Sequence, residues 1–483
     1  MAVADFVVLL PLIAVSTTAI ILMIAIAVRR NHKVAVVISL IGLAAAFGSL
    51  PFAASEAPRQ VTSLFILDPY SLLYMSILLC AAAFVFLFSY DYLEQRQEYR
   101  EEFYLLILLA TTGAMVLVVS RHFASFFLGL ELLSVALYAL ISYARTQSAS
   151  IEAGIKYLVL AASSSSVLLF GLALIYADSG SMELSQFAAV MSRTAGPTNT
   201  FPLLTGLMLV LTGVGFKLAV VPFHLWTPDV YEGAPLPVTA FIATVSKGGM
   251  FAFVLRWFYV HDLGVGGTPA LVLSIIAIAS MLTGNLLALT QNNVKRILAY
   301  SSISHMGYLL VALLAGGALG APAATYYFAA YAVTILGAFG VMTVLSGRGR
   351  EAASIDDYRG LFWQRPLVAG AFTTMLLSLA GIPLTAGFLG KFYVIAAGAS
   401  QSRWVLLFTL VVSSTIGLFY YLRIIVAMYA QPRASDLEGD SDTLSLPVAA
   451  ALALAVLTGL VFLVGVYPAP LWDVILAATR KLG

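Results

Sequence analysis

Charged side chains inside long apolar stretches are the residues of this sequence that could do chemistry. Lys156, Lys217, Lys247, Lys391 and Glu131 all lie in runs long enough to cross a bilayer. A charge at the centre of a membrane helix costs about 2.5–3.5 kcal/mol, so such groups persist when they face the protein interior, pair, or line a water path. Desolvation favours a neutral lysine and a nearby carboxylate favours a charged one. A lysine between these influences can load and unload a proton, which predicts proton transfer.

Glu131 and Lys217 are the first two candidates along the chain. Glu131, in FFLGLELLSVALY, begins a polar stripe that continues at Ser134 and Tyr138. We interpret it as the acidic partner of a lysine, against the alternative of a structural ion pair between helices. Lys217, in GVGFKLAVVPFHLW, precedes Pro222, and a proline breaks a helix. Broken helices free carbonyls that transporters use at their sites; the alternative is a proline kink with a snorkelling lysine.

Lys247 occupies a third apolar run, TAFIATVSKGGMF, in which Thr244 and Ser246 supply hydroxyl groups before it. These hydroxyls are typical neighbours of a lysine that passes protons through hydrogen bonds or water. The pair Gly248–Gly249 predicts close contact with another helix. The alternative is a packing interface that carries an incidental lysine.

His305 and Lys391 extend the candidate proton path towards the C-terminal half. His305, in AYSSISHMGYLL, has Ser301 and Ser302 one turn before it on the same face. A histidine titrates near neutrality and suits a relay, although a satisfied core histidine is an equal alternative. Lys391, in SLAGIPLTAGFLGKFY, follows Pro383, which indicates a second broken helix. The alternative is a kinked helix with a lysine near its end.

A secondary polar axis is assigned to a further group of residues. Lys156 belongs to it, although Glu152 at i−4 could equally hold it in an ordinary surface pair. His224, two turns beyond the lysine of the first break, and Lys295 complete the group together with the two serines before His305. Arg423 lies nearer the end of its span, where snorkelling is the expected behaviour.

The composition indicates a membrane protein throughout. Of the 483 residues 61% are hydrophobic and 10% are charged, whereas a soluble domain carries about 25% charged residues. The net charge of +2 excludes a nucleic-acid footprint. The single cysteine excludes a disulfide framework, and the five histidines show no metal-ligand spacing. We expect no cofactor site in this chain.

The elements that must position these residues are transmembrane helices, because the apolar runs are long and do not alternate. Fourteen spans are predicted, centred near residues 16, 44, 80, 111, 133, 166, 213, 246, 279, 306, 334, 380, 415 and 456. The interrupted segments Gly213–Trp226 and Ser378–Tyr393 belong to spans seven and twelve. Their odd offset places them in opposite orientations, which indicates an inverted-repeat transporter.

The expected architecture is therefore an all-α polytopic protein of four parts. Residues 1–100 hold spans 1–3, residues 101–260 the first repeat (spans 4–8), residues 261–430 the second repeat (spans 9–13), and residues 431–483 span 14 and a tail. Lys and Arg are more frequent in the loops on one side, which predicts both termini on the outer, periplasmic side of a bacterial plasma membrane.

Three long segments resemble a known family. LAVVPFHLWTPDVYEGAP (Leu218–Pro235), NVKRILAYSSISHMGY (Asn293–Tyr308) and SLAGIPLTAGFLGKFYV (Ser378–Val394) are similar to the antiporter-like subunits of proton-pumping NADH:quinone oxidoreductase, respiratory complex I, which are related to Mrp-type cation/proton antiporter subunits. The form HLWTPDVYEGAP is similar to the N-type branch of that family. The M-type branch carries a glutamate at the position of Lys391, and the L-type branch has a long C-terminal extension.

The resemblance implies a proton path along a central polar axis. Glu131 matches a glutamate of the fifth helix, Lys217 a lysine of the broken seventh helix, and Lys247 a lysine of the eighth. His305 matches a bridging position of the tenth helix, and Lys391 the residue of the twelfth helix that leads to the outer side. The resemblance also implies that flavin, iron–sulfur clusters and quinone belong to partner subunits. The expected membrane partners are subunits M, K and J, together with lipids.

Two other functions stay open at this point. A free-standing cation/proton antiporter would need a carboxylate-rich cation site, and the one deeply placed acid among several lysines argues against it. A structural scaffold without transport would tolerate neutralisation of its buried lysines.

Overall fold

The chain folds almost entirely into helices in the computed structural model, which describes residues 2–96, 99–184, 201–260, 267–347, 351–432, 447–480 and 482. Helices satisfy their own backbone hydrogen bonds, as a bilayer requires. Within the described residues, twelve helices are long and apolar enough to cross a membrane. This architecture confirms the predicted all-α polytopic fold.

The helices follow one another along the chain. They are α1 (Val3–Val28), α2 (His32–Glu56), α3 (Pro69–Glu94), α4 (Glu101–Val119), α5 (Phe123–Ile141), α6 (Ser148–Ser179), α7 (Phe201–Leu218), α8 (Trp226–Gly233), α9 (Leu236–Phe241), a π-helical turn (Ile242–Ser246), α10 (Lys247–Val260), α11 (Gly267–Leu289), α12 (Val294–Ala315), α13 (Gly317–Leu345), a 3₁₀ turn (Ile355–Tyr358), α14 (Leu361–Gln364), α15 (Pro366–Ala380), α16 (Ala386–Ser400), α17 (Trp404–Tyr429), α18 (Val448–Val466) and α19 (Ala469–Thr479).

A helix lies at each of the fourteen predicted positions. The predictions near residues 213 and 380 coincide with interrupted helices, since α7 is separated from α8 and α15 from α16 by short non-helical segments. The other twelve are continuous spans, of which the eighth comprises α9, the π-helical turn and α10. The predicted boundary at residue 261 lies outside the described residues. The four-part division and the inverted relation of its repeats stay predictions.

Two small elements were not predicted. A hairpin of β1 (Arg59–Val61) and β2 (Phe65–Leu67) pairs antiparallel between α2 and α3. Helix α19 follows the last predicted span, within what the sequence indicated only as a tail. Three-residue strands give too short an alternation to recognise, and an eleven-residue helix is too short to be read as a span.

The centre of the molecule is formed by α12, α13 and the span α9–α10, which are almost wholly buried, whereas α1, α2, α6, α17 and α18 expose one face. Gly249 confirms the predicted close helix contact. A Cβ added there would lie 2.9 Å from backbone atoms of Ala114 in α4. The central helices carry Lys247 and His305, so the fold removes these two candidates from the surface.

Candidate functional site

The first interrupted helix places Lys217 in the interior. Helix α7 ends one residue beyond it, and Ala219 adopts a left-handed conformation with φ of 60°. The Lys217 side chain is 4% exposed, and its Nζ donates to Ser134 Oγ at 2.6 Å and to Tyr157 OH at 3.2 Å. The same ammonium lies 5.3 Å from the centre of the Tyr157 ring. The snorkelling alternative is therefore wrong, because the ammonium binds buried hydroxyls.

Glu131 acts on this lysine without touching it. The two side chains interact electrostatically, yet the ion pairs of the described residues include none between them. Ser134, one turn from Glu131, supplies the direct contact to Lys217. One carboxylate oxygen of Glu131 is buried, and no described residue is hydrogen-bonded to it. The structural ion-pair alternative thus finds no partner for Glu131 in the part of the chain that the structure describes.

Lys247 begins α10 directly after the π-helical turn, a distortion that is frequent at functional sites. Its side chain is fully buried, and Nζ donates one hydrogen bond, to Ser302 Oγ at 2.7 Å. The ammonium also lies 5.5 Å from the centre of the Tyr231 ring. Ser302 in turn hydrogen-bonds Tyr331 at 2.6 Å. Thr244 instead donates to the Ala240 carbonyl within its own helix.

His305 stands at the centre of a group of tyrosines. Its Nδ1 is 2.7 Å from Tyr327 OH and its Nε2 is 3.3 Å from Tyr421 OH. Tyr421 OH is also hydrogen-bonded to Ser301 Oγ. The Tyr331 ring lies 5.1 Å from the imidazole, centre to centre. Both ring nitrogens therefore have a hydroxyl partner, and the imidazole connects the surroundings of Lys247 to those of Lys391.

Lys391 closes the second interrupted helix. Its Nζ donates to the carbonyls of Leu379 and Ala380, both at 2.9 Å, and to Ser414 Oγ at 2.7 Å. The two carbonyls lie at the C-terminal end of α15, which carries partial negative charge. Gly387 lets the start of α16 pack closely against the end of α15, because a Cβ at this position would collide with the Ser378 carbonyl oxygen.

In the two breaks, different groups donate hydrogen bonds to the backbone carbonyls at the end of the first half-helix. In the first break, the Phe216 carbonyl accepts a hydrogen bond from the Trp226 indole at 2.9 Å. In the second, Lys391 performs this role from the following half-helix. The lysine precedes Pro222 in the first segment, where the indole binds the helix end, and follows Pro383 in the second, where the lysine itself binds it. The indole leaves Lys217 free to bind side-chain hydroxyls.

Several secondary candidates lie apart from these residues. Lys156 is on the exposed face of α6 and pairs with Glu152 at 2.7 Å and Asp229 at 2.8 Å, so the surface-pair alternative is correct. His224 is buried in the first break. Arg423 binds the Leu289 carbonyl at the end of α11 at 2.9 Å. Lys295 is buried and forms an ion pair with Glu351, which lies between α13 and the 3₁₀ turn.

Sequence reasoning missed two carboxylates that form ion pairs, the buried Asp68 and the partly buried Glu351. Asp68 makes a bidentate pair with Arg256, at 2.7 and 2.8 Å, just before α3. Burial raises the pKa of Asp68, but the Arg256 guanidinium and hydrogen bonds lower it further, so that its pKa lies below the usual range. Glu351 pairs with Lys295 at 2.7 Å. Both acids lie in segments between helices, where a charged residue is expected to face solvent. Their ion-pair partners are distant in the sequence, so the sequence did not reveal the pairing.

A helical membrane protein with two interrupted helices and a line of buried lysines belongs to the class of antiporter-like ion-translocating subunits. The family described as NADH:quinone oxidoreductase/Mrp antiporter, transmembrane, matches residues 120–417. The chain belongs to this family, as the sequence predicted.

Individual relatives agree with this assignment. The chain is 47% identical, over 475 residues, to NADH-quinone oxidoreductase subunit N of Ectopseudomonas mendocina (strain ymp), covering 97% of this chain and 95% of that one. It is similar to a chain of respiratory complex I from Thermus thermophilus with bound aureothin, with a TM-score of 0.81 and 31% identity over 96% of this chain and 98% of the other. A chain of the Mrp complex from Dietzia sp. DQ12-45-1b shares the fold, with a TM-score of 0.85 and 21% identity over 100% and 98% of the two chains.

Proposed function

We propose that this chain is the proton-translocating membrane subunit N of a bacterial complex I and moves protons along a buried track. The track comprises Glu131, Lys217, Lys247, His305 and Lys391. The observation that carries the proposal is the placement of three lysines and one histidine in the interior, each bonded to hydroxyl or carbonyl groups. Buried ionisable groups in membrane proteins mark ion and proton pathways.

Aromatic hydroxyls and serines support the order of transfer from Lys217 towards Lys391. Each lysine of the track lies over a tyrosine ring, and these rings belong to Tyr157, Tyr231 and Tyr308 respectively. Beyond Lys247 the hydroxyl groups described above lead to His305. Water would complete the remaining steps, as it does in hydrated membrane cavities.

The energies involved are of the right size for a pump. Moving one charge against 100 mV costs about 2.3 kcal/mol. A hydrogen bond to a charged group contributes about 1.5–3 kcal/mol. Making or breaking a single charge-assisted bond, such as that from Lys247 to Ser302, is therefore comparable with the work done per proton. A change of charge near Glu131 would suffice to bias Lys217.

We infer that partner subunits supply the energy for pumping. Within the described residues no cluster of histidine, cysteine and acidic side chains could hold a metal ion. We place NADH oxidation, the flavin, the iron–sulfur clusters and quinone reduction in partner subunits, and we place subunits M, K and J beside this one in the bacterial inner membrane. Both termini are proposed to face the periplasm. The two repeats, residues 101–260 and 261–430, would each supply a half-channel.

The proposal is tested by replacing Lys217, Lys247 or Glu131 with alanine in the assembled complex. Native gel electrophoresis confirms assembly, and quinone reduction and proton pumping are then measured together in proteoliposomes. We expect each variant to lose pumping. Normal pumping by an assembled variant would refute the track and support a scaffold. The antiporter alternative predicts sodium-dependent proton movement without NADH, which the same vesicles would reveal.

A further inference from the structure

Glu351 and Lys295 form a partly buried ion pair at the start of α12. Lys295 Nζ donates to Glu351 Oε2 and to the Ala234 carbonyl, both at 2.7 Å. The other carboxylate oxygen of Glu351 accepts a hydrogen bond from the Leu236 backbone N–H at 3.2 Å. Lys295 is 1% exposed. The pair therefore joins the end of α8, the start of α9 and the start of α12.

The surroundings hold Glu351 in place. Tyr92 OH donates to Glu351 Oε1, and Arg96 Nη1 lies 3.6 Å from the same oxygen. The segment that carries Glu351 is bonded to the start of α12, because Val294 N–H donates to the Ala353 carbonyl at 2.6 Å. Three charged groups thus meet here, two cations and one carboxylate.

The pair is linked to Lys247 through α12. Lys295 and Ser302 are seven residues apart on α12, which is two turns or about 10 Å along the same face. Ser302 is the residue that binds Lys247. Between the two levels, Thr239 Oγ1 donates to the Tyr231 carbonyl at 3.2 Å. Glu351 also accepts a hydrogen bond at the start of the very span that carries Lys247.

Glu351 is ionised in this setting. Burial raises its pKa, but the Lys295 ammonium, hydrogen bonds from Lys295 and Tyr92, and the Arg96 charge lower the pKa below the usual range. A buried ion pair is weak evidence for stability, since desolvation offsets much of the attraction between the charges. Stabilisation of the fold alone is therefore a weak explanation for an ion pair at this position.

We propose that Glu351 and Lys295 are the access point through which protons reach Lys247 from the loop side, which is the predicted cytoplasmic side. The inference rests on the proposed function. With the pair closed, the Glu351 carboxylate keeps the proton on the Lys295 ammonium by stabilising its charge. When the charges separate, Lys295 passes its proton towards Ser302 and Lys247 and takes another from the aqueous phase. Glu351 is a positioning residue in this scheme, and Lys295 carries the proton.

The experiment compares E351Q with the double variant E351Q/K295Q. The single variant leaves two buried cations without a carboxylate, so we expect poor assembly. The double variant keeps the net charge of the wild-type cluster, so we expect it to assemble. D356N serves as the matched control, because Asp356 is an exposed acid in the same segment. Assembly, quinone reduction and the ratio of protons pumped to electrons transferred are measured for each.

We expect the assembled double variant to transfer electrons with a lowered proton-to-electron ratio, while D356N keeps the wild-type ratio. A double variant with the wild-type ratio overturns the inference, since the pair would then be structural. A double variant that does not assemble also overturns it, because an access point is not needed for folding. K247M in the same assay separates the two claims. If K247M pumps normally, the proposed function itself fails.

Discussion

Replacing Lys247 with methionine tests the track at its most weakly held ammonium. Lys247 donates one hydrogen bond, to Ser302, whereas Lys391 donates three. Methionine has a similar shape and no charge, and Ser302 retains Tyr331 as a hydrogen-bond partner. The substitution removes about 1.5–3 kcal/mol of charge-assisted bonding. It also removes the cost of burying a charge, so we expect stability to change by less than about 1.5 kcal/mol.

The effect on pumping should be far larger than the effect on stability. Positioned acid–base groups contribute rate factors of about 10² to 10⁴. Proton movement through this subunit should fall by a similar factor, because methionine can neither accept nor release a proton at this position.

The assay reconstitutes the whole complex in proteoliposomes and follows NADH-driven acidification with a pH-sensitive dye beside quinone reduction. Thermal dissociation of the complex reports stability. The control is K156M, because Lys156 lies on the exposed face of α6 in a surface pair. A K247M complex that is stable and pumps at the wild-type ratio would refute the reasoning. A K247M complex that falls apart would show that the ammonium is structural.

Three further substitutions have definite expected outcomes. K391M should abolish pumping and also lower the thermal stability, by about 1–3 kcal/mol for each helix-end carbonyl left unpaired; unchanged stability would contradict the bonding described here. G249V should cost about 1–3 kcal/mol, because its side chain would collide with the backbone at Ala114, and a denaturation series in detergent measures this. D68N should cost about 3–5 kcal/mol by leaving Arg256 buried without its carboxylate. Since the pKa of Asp68 is lowered in the fold, the wild type should keep its advantage over D68N above pH ~4 and lose it as the pH falls through the folded pKa, which thermal melts across pH 3–7 can follow.

The sequence predicted the helices and the buried charges, but not the pairings between residues distant in the chain. The spans were readable because twenty apolar residues in a row are required to cross a bilayer, and the two breaks because proline removes a backbone donor. The family was readable from three long segments, and the match over residues 120–417 confirms it. The buried lysines were readable as charges in apolar runs, and the structure places Lys217, Lys247 and Lys391 inside the molecule.

The pairings themselves were not readable. Glu351 stands beside glycines and arginines, so its sequence neighbours are typical of a solvated loop. Its contact with Lys295 joins positions 56 residues apart. The prediction of burial for Lys156 was wrong for the opposite reason. Its apolar neighbours in sequence suggested burial, but the residue lies on the exposed face of its helix. Hydrophobic periodicity reports which residues leave water, but it does not report which polar groups meet there.

The second break holds a cation that is covalently part of the chain. In a carrier for alkali metals, free carbonyls at the end of a half-helix would form a cup for the transported ion. Here the Lys391 ammonium fills that cup, and it cannot dissociate or be exchanged for sodium. Only its proton can leave. The carbonyls that bind sodium in other transporters thus serve a tethered charge, and millimolar sodium should not compete for this position.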